Sequence, residues 1–576
     1  MLKDVSAAKS LFLGTLVEEN LFPFPAVQPA EVETLRMVLD SIDKFMSPKA
    51  EHYREYDKKG EQPEAYLQEL REMGLFGLII PEEHGGVGFS NTAYSRVLQQ
   101  ASRYDASTSL TIGAHSSIGL KGVVLFGTEE QKKKYLPRLA SGELIAAFCL
   151  TEPGAGSDAA SIKTNAVLQS DGSWLLNGDK LWITNGPTAG LFTVFARTDG
   201  EAGKMTGFIV ERAYPGVSSG PKEDKMGIRA SATSTVTFNN VRVPAENVLG
   251  GVGQGFKVAM AILNNGRTGL GGGCVGAMKR CLNLAIKQSE DRKQFGTSIN
   301  QFGLMKEKIT QMTVVCFAAE SVVNLVAGYI DNGCDDYSTE AAISKIYATE
   351  ALWTVANESL QVAGGNGFMK EYPYEGVVRD CRINMIFEGT NEILRLYVGL
   401  SGLKDAGESL AAVKKSAGKM FDDPIKGFGV LSKFATRKVS QLTSFGRPRL
   451  TAFAACLKDE AEIYELFTQR FSKANDALLM KFGKKIIGEQ LYTRRVADIA
   501  IDLFVGLSVL SRVTAIVKAV GEKQAADEIS IAKIYTAQAK RRMKFNLQRL
   551  ITNEDGLTND LSDSMIKKGE YRWDIV

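Results

Sequence analysis

Proton chemistry in this chain has to come from a carboxylate, and one carboxylate stands apart. Glu388, in RINMIFEGTNEILRLYVG, follows Met385, Ile386 and Phe387 and precedes Gly389 and Thr390. Thr390 can cap the following helix, with Glu392 in its first turn, so Glu388 is not needed for capping. The apolar residues before it predict a wall that disfavours the charged form and strengthens the carboxylate as a base. The competing reading is a solvated loop glutamate. Histidine offers no rival. His52, His84 and His115 are the only three, and none has triad-like or metal-ligand neighbours. That speaks against a Ser-His-Asp hydrolase and a His-ligated metal centre.

Four other stretches carry usable chemistry. In AAFCLTEPGAGSDAASIKT, Gly154 and Gly156 permit a polar turn whose N–H groups can face an anion, or an ordinary surface loop. In KLWITNG, Trp182 offers a flat face and Thr184 a hydroxyl at a strand end, although a buried core tryptophan is the default there. DRKQFG at 291–296 and LQVAGGNGF at 360–368 complete the set. Gly271, Gly273 and Gly276 match GxGxxG, but no strand pattern precedes them, so close helix packing is the preferred reading.

These residues need elements to hold them. The spacing Val32, Leu35, Leu39, Ile42, Phe45 is helical, and helical patterns run to about residue 145. Between 146 and 250, segments such as SWLLNGDKLWIT and STVTFNNVRVP are rich in β-branched and aromatic residues, with turn residues between them. Helices return from Phe256 to about 400, and again from about 430, with a long pattern around Lys485 to Val517. The expected fold class is α+β, mostly α. The expected divisions are 1–145 helical, 146–250 β, 251–410 helical, 411–460 a linker, and 461–576 helical.

Bulk properties narrow the function classes. A length of 576 residues allows several domains, and a net charge of +3 argues against nucleic acid as the main partner. Seven scattered cysteines, none in CxxC spacing, suit a reducing compartment and neither a disulfide framework nor a zinc site. No apolar run approaching a membrane span is expected, and the N-terminal residues read as neither signal nor transit peptide. The expected location is therefore cytoplasmic in a bacterium. A processed eukaryotic chain would instead lie in the mitochondrial matrix or at the inner membrane.

Together the motifs resemble the acyl-CoA dehydrogenase family. CLTEPGAGSD and RDCRINMIFEGTNEILR look like its two signatures, with WITNG, RKQFG and QVAGGNGF between them in family order. The helical extension to 576 resembles the very-long-chain branch, which includes an assembly-factor-like dehydrogenase. The resemblance implies an N-terminal helical domain, a β-barrel-like middle domain, a C-terminal four-helix bundle and a further helical domain. It implies FAD as cofactor, an acyl-CoA substrate, an electron-transfer flavoprotein as acceptor, and no metal. Glu388 becomes the base that removes the α-proton while the β-hydrogen leaves as hydride to flavin N5. Its own N–H binds the thioester carbonyl together with a ribityl hydroxyl of the flavin.

Further roles carry over by motif. The resemblance puts Phe148, Leu150, Thr151, Gly156 and Ser157 along the flavin, with Ser157 also near substrate. Trp182, Ile183 and Thr184 lie against the isoalloxazine. Arg292 and Phe295 reach the flavin of a neighbouring subunit, and Gln361 and Gly365 lie near its adenosine end, which implies at least a homodimer. Thr390, Asn391 and Glu392 fall in the flavin-contacting turn, and Phe387 and Gly389 flank the substrate. Asn264, Asn265 and Arg267 match the segment that meets CoA. Ser109 and Gly113 match pocket-floor positions that are bulkier in medium-chain relatives, so a preference for long chains, C14 and above, is expected.

Two other function classes stay open: a scaffold or assembly protein retaining the fold, and an oxygen-using relative such as an acyl-CoA oxidase. A nitroalkane oxidase would carry aspartate at the base position. One feature is read directly from the residues. From Pro424 to Lys458 there is no acidic side chain, while Lys426, Lys433, Arg437, Lys438, Arg447, Arg449 and Lys458 are basic, with Phe428, Phe434, Phe445 and Phe453 among them. An anionic membrane surface is the expected partner of this segment, a solvated linker the alternative.

Overall fold

The computed structural model describes residues 1–198, 204–418 and 449–575. The chain forms two compact units, Met1–Val5 with Glu19–Leu394, and Ser6–Glu18 with Arg395–Val576. The expected 1–145 division is corrected at its start. Ser6–Glu18, with the helix Ala7–Phe12, belongs to the second unit.

In the first unit, the helix Val32–Met46 buries Leu35, Ile42 and Met46 and half-buries Leu39 and Phe45, while Val32, expected on that face, is 40% exposed. The helix Asn91–Ser102 follows, N-capped by Ser90, then the helix Ala106–Gly113, N-capped by Asp105 and continued by a π-turn over Ala114–Gly119. His115 lies in that turn, fully buried, its Nδ1 accepting from the Ala146 N–H at 2.9 Å, a structural task.

Eight strands then form one sheet: β1 Ala146–Cys149, β2 Asn165–Leu168, β3 Trp174–Thr184, β4 Leu191–Thr198, β5 Met205–Glu211, β6 Val217–Ser219, β7 Thr233–Val243 and β8 Val248–Leu249. The path is β6-β7-β3-β2-β4-β5-β8, with β1 parallel to β4. Phe192, Val194, Phe208, Val236 and Phe238 fill its core. The β3–β7 register shifts between Lys180 and Ile183, at Trp182.

Long helices close the first unit: Gly255–Asp291, Gly303–Asp331 and Ser338–Ala363, then Tyr374–Cys381 and the start of Asn391–Gly418. Gly271 and Gly276 are contact points, as the helix-packing reading expects, and Gly272 is another, whereas a Cβ on Gly273 would make only an ordinary contact. A Cβ on Gly276 would stand 2.1 Å from the Gln99 carbonyl oxygen, and one on Gly272 2.6 Å from Ser95 Oγ.

The second unit packs Ala7–Phe12 with the helices Lys458–Phe482, Gln490–Val520, Ala526–Arg549 and Asp555–Lys568. Phe12 and Phe471 meet edge-on at 4.8 Å. Arg495 and Asp555 form a bidentate pair, one arm at 2.6 Å. The long helix starts at Gln490, since Lys485 falls in a 3-10 turn over Gly483–Gly488.

Two expectations are corrected by burial. Ala106–Phe126, Gly303–Asp331 and Gln490–Val520 are long and apolar enough to cross a membrane, so apolar length is present after all. Those windows are 67%, 72% and 83% buried inside the fold, however, so protein already covers most of each. Of the basic segment, 419–448 lies outside the described residues, and 449–458 is pinned into the second unit. Leu450 and Leu457 are buried, and the Glu18 carboxylate takes the Thr451 hydroxyl at 2.8 Å and the Ala452 N–H at 2.6 Å. Phe453 is half-buried in that stretch, which leaves it poorly placed for insertion into lipid.

Candidate active site

The turn before the helix Asn391–Gly418 has unusual backbone. Glu388 has φ +54° and Gly389 φ +91°, two consecutive left-handed residues. For a residue with a Cβ this conformation costs about 1–2 kcal/mol, so the surroundings must enforce it. They do so through two cations. Arg267, on the Gly255 helix, donates to the Glu388 carbonyl at 3.4 Å. Lys345, on the Ser338 helix, donates to the Gly389 carbonyl at 2.8 Å and to Asn391 Oδ1 at 2.9 Å. Asn391 in turn donates to Thr349 Oγ1 and Glu350 Oε1, each at 3.0 Å. Thr390 is the N-cap expected of it, its Oγ1 accepting from the Ile393 N–H at 3.3 Å.

One oxygen of the Glu388 carboxylate is left without a hydrogen bond. Oε2 is buried and accepts no hydrogen bond. Desolvation raises its pKa, and the charges of Arg267 and Lys345 oppose the rise. Ile386 is 46% exposed and so forms no sealed wall. Tyr94, on the Asn91 helix, and Cys274, on the Gly255 helix, are raised first by their own burial, and both lie close enough for the Glu388 charge to add to the rise. A desolvated carboxylate oxygen that accepts no hydrogen bond is chemically suited to take a proton.

The second face is built by β1, the loop after it and β3. Trp182 has φ +57° at the register shift and is 64% exposed, which overturns the default of a core tryptophan. Phe148, Thr151 and Thr184 are half-buried, and Gly156 and Ser157 are exposed. A Cβ on Gly154 or Gly156 would meet nothing within 4 Å, so the loop leaves open space above its backbone. Leu150 and Ile183 are 6% and 3% exposed, and Ile183 belongs to the sheet core rather than to the open face. A flat exposed ring, a strand-end hydroxyl and a small-residue loop fit an aromatic tricycle with a phosphate tail.

A buried ion pair frames that loop. Lys180 Nζ lies 2.7 Å from Glu152 Oε1 and donates to the carbonyls of Leu150 at 3.1 Å and Phe195 at 2.8 Å. Glu152 also accepts the N–H of Lys163 at 2.5 Å and of Thr164 at 3.0 Å. Both ends of the loop are tied to one carboxylate.

Other expected site residues divide. Arg267, Asn265 and Asn391 are 6%, 5% and 2% exposed, so they build the base turn and its surroundings rather than an open CoA or flavin surface. Asn264 is half-buried and accepts from Arg267 at 2.6 Å. Phe387 is half-buried, and Glu392 is exposed. Ser109 lies near the Gly255 helix, with a Cβ on Gly273 falling 3.6 Å from its hydroxyl. A Cβ on Gly113 would stand 3.8 Å from the Leu98 side chain. Arg292, Gln361 and Gly365 are exposed, and Phe295 is 95% exposed with φ +54°.

Lys180, Glu152 and Lys345 escaped the sequence reading, though patterns point to two of them. Alternation along β3 puts Trp174, Leu176 and Lys180 on one face. Lys345 shares the helical stripe of Ala341, Ala342, Ala348 and Leu352. In both places a cation occupies a position the period reserves for the core.

Comparison with known proteins follows the same lines. Family models match at residues 32–143 (acyl-CoA dehydrogenase, N-terminal domain), 147–241 (middle domain) and 253–402 (C-terminal domain). A fourth, the ACAD9/ACADV C-terminal domain, matches 455–570. The very long-chain specific acyl-CoA dehydrogenase of Macaca fascicularis is 44% identical over 518 residues, covering 88% of this chain and 78% of that protein. A probable acyl-CoA dehydrogenase of Bacillus subtilis is 36% identical over 530 residues, covering 87% and 84%. The crystal structure of an acyl-CoA dehydrogenase complexed with FAD from Bacillus anthracis superposes with TM-score 0.81 at 31% identity, covering 98% and 95%. The chain belongs to the acyl-CoA dehydrogenase family, as an FAD-dependent oxidoreductase of the branch that carries the additional C-terminal helical domain.

Proposed function

We propose that this enzyme converts long-chain or very-long-chain acyl-CoA to trans-2-enoyl-CoA, with Glu388 as the base that takes the α-proton. The observation that carries the reading is the buried Oε2 of Glu388, without a hydrogen bond and desolvated on a strained turn. A thioester acidifies its α-carbon, and a carboxylate held this way can accept the proton without first giving up a partner. The Glu388 N–H is available on the same turn to donate to the thioester carbonyl, where negative charge develops as the proton leaves. Bound FAD supplies the acceptor for the β-hydride. Trp182 and Thr184 orient that cofactor, while Leu150, Thr151 and Ser157 hold it from a loop tied down by Glu152 and Lys180. An electron-transfer flavoprotein takes the electrons onward. Arg292, Phe295, Gln361 and Gly365 complete the cofactor site of a second copy, making the working form at least a dimer.

Small residues at 109 and 113 support the long-chain preference, since each methylene buried adds about 0.8 kcal/mol. The basic stretch 424–458 brings the enzyme to an anionic membrane, where such substrates partition. The test is stopped-flow reduction of the enzyme by palmitoyl-CoA, with and without oxygen or an electron-transfer flavoprotein. Fast reduction reoxidised only by the flavoprotein supports a dehydrogenase; reoxidation by oxygen supports the oxidase class, and absence of reduction a scaffold. Glu388→Gln should keep FAD yet slow reduction by roughly 10²–10⁴-fold. Normal reduction in that variant removes Glu388 from the reaction.

A further inference from the structure

Lys345 is fully buried on the Ser338 helix, 43 residues upstream of Glu388 in sequence (388 − 345) and directly under its turn. A buried ammonium normally pairs with a carboxylate, because an unpaired charge is costly to desolvate. Here both hydrogen bonds go elsewhere, to the Gly389 carbonyl at 2.8 Å and to Asn391 Oδ1 at 2.9 Å. Neither goes to Glu388, whose carboxylate remains open. The lysine thus grips the turn on the residue after the base and the first residue of the helix that follows. Arg267 grips the carbonyl of Glu388 itself. Gly389 is confined as well, since a Cβ there would stand 3.2 Å from the Leu394 side chain.

We propose that Lys345 is a positioning residue for this reaction, clamping the left-handed turn Glu388–Gly389 so that the carboxylate and the N–H of Glu388 face the substrate together. The proposal rests on Glu388 being the base. Its electrostatic side follows from the same placement. The groups facing Glu388 are Arg267 and Cys274 from the Gly255 helix, Tyr94 from the Asn91 helix and Lys345 itself. Those facing Lys345 are Glu388, Arg267, Cys274 and Glu350. Burial pushes the ammonium down to about 8, while the Glu388 charge holds it up. Reciprocally, the lysine charge favours the anionic form of Glu388, the form that acts as a base.

The experiment is reduction of the FAD-loaded full chain by palmitoyl-CoA across the neutral pH range, with FAD content and thermal midpoint measured alongside. In Lys345→Met, displacement of the turn by about 1 Å should slow reduction by roughly 10²-fold. Loss of the charge should move the acid limb of the rate profile upward by about one unit. Binding of a non-reducible thioether analogue of the substrate should hold, because the lysine touches the turn and not the acyl chain. Lys345→Arg keeps the charge and should return the limb to its original pH with most of the rate. Lys345→Gln, a neutral donor, keeps the variant set readable should the methionine protein not fold, and it should show the shifted limb. A Met or Gln variant with the parental limb and parental rate overturns the proposal, as does an Arg variant no better than Met. Glu388→Gln separates the two levels. If that variant reduces normally, the base assignment fails; if it is inactive while Lys345→Met is normal, only the positioning role fails.

Discussion

Replacing Lys180 by Met should loosen the cofactor loop more than any surface change could. Lys180 is wholly buried and Glu152 is 6% exposed, so neither charge has bulk water to fall back on. The substitution deletes the pair with Glu152 and the bonds to the carbonyls of Leu150 and Phe195. Three charge-assisted bonds at about 1.5–3 kcal/mol each would sum to more than 4 kcal/mol. The variant also escapes the desolvation of the ammonium, which offsets part of that loss. The net cost expected for breaking a buried pair from one side is about 3–5 kcal/mol. Glu152 keeps the amides of Lys163 and Thr164 but becomes an uncompensated buried anion. Adding Glu152→Gln should therefore recover about 1–3 kcal/mol, a non-additivity that two independent sites would not show. The assay is denaturant unfolding of the FAD-loaded protein, with hydrogen exchange at residues 163 and 164 as the local readout. Unfolding within about 1 kcal/mol of the parent, with both amides still protected, would refute the frame.

Three further outcomes follow from particular residues. Gly113→Glu should shift the chain-length optimum toward shorter acyl-CoA, measured as kcat/KM across a C8 to C20 series, and an unchanged profile would displace Gly113 from the pocket floor. Asp380 accepts the Ile228 N–H at 2.5 Å, and burial of its carboxyl pushes the pKa from 3.8 to about 7. A raised carboxyl pKa gives stability that is full below the unfolded value and lost as pH rises through the folded one. Asp380→Asn should therefore flatten the fall in thermal midpoint between about pH 4 and 7. Reversing Arg437, Lys438, Arg447 and Arg449 to Glu should abolish salt-sensitive co-sedimentation with cardiolipin-containing liposomes while leaving turnover of soluble substrate intact; undiminished binding would exclude that segment.

Much of the site is legible in the sequence because its motifs are local. The Thr390 cap and the run up to Glu388 lie within a few residues, and turn and cap chemistry acts over that range. The exposed Trp182 is not legible by composition. Its position depends on a register shift against β7, some fifty residues away in sequence, and a strand pattern alone assigns it to the core. Lys345 and the Glu152–Lys180 pair are hidden for a related reason. The lysines donate to backbone carbonyls and Glu152 accepts from backbone amides, groups brought near by tertiary packing that carry no residue identity. The N-terminal boundary fails because short helices such as Ala7–Phe12 announce their existence but not their partner; Phe12 packs on Phe471. Ile386 fails in the opposite sense: an apolar residue beside Glu388 in sequence, it stays 46% exposed and seals nothing.

The left-handed backbone at Glu388 also sets the fold and its function against each other. At φ +54° glycine or asparagine is the residue a protein optimised only for persistence would adopt. A buried carboxyl oxygen that receives no hydrogen bond is a further reason for the fold to discard glutamate there. With Glu388 as the proposed base, the cheap routes to a sturdier chain at this codon are also routes to an inert one. Stability screens that never challenge the enzyme with a thioester run in the wrong direction at residue 388, and libraries drawn from them should hold that position fixed.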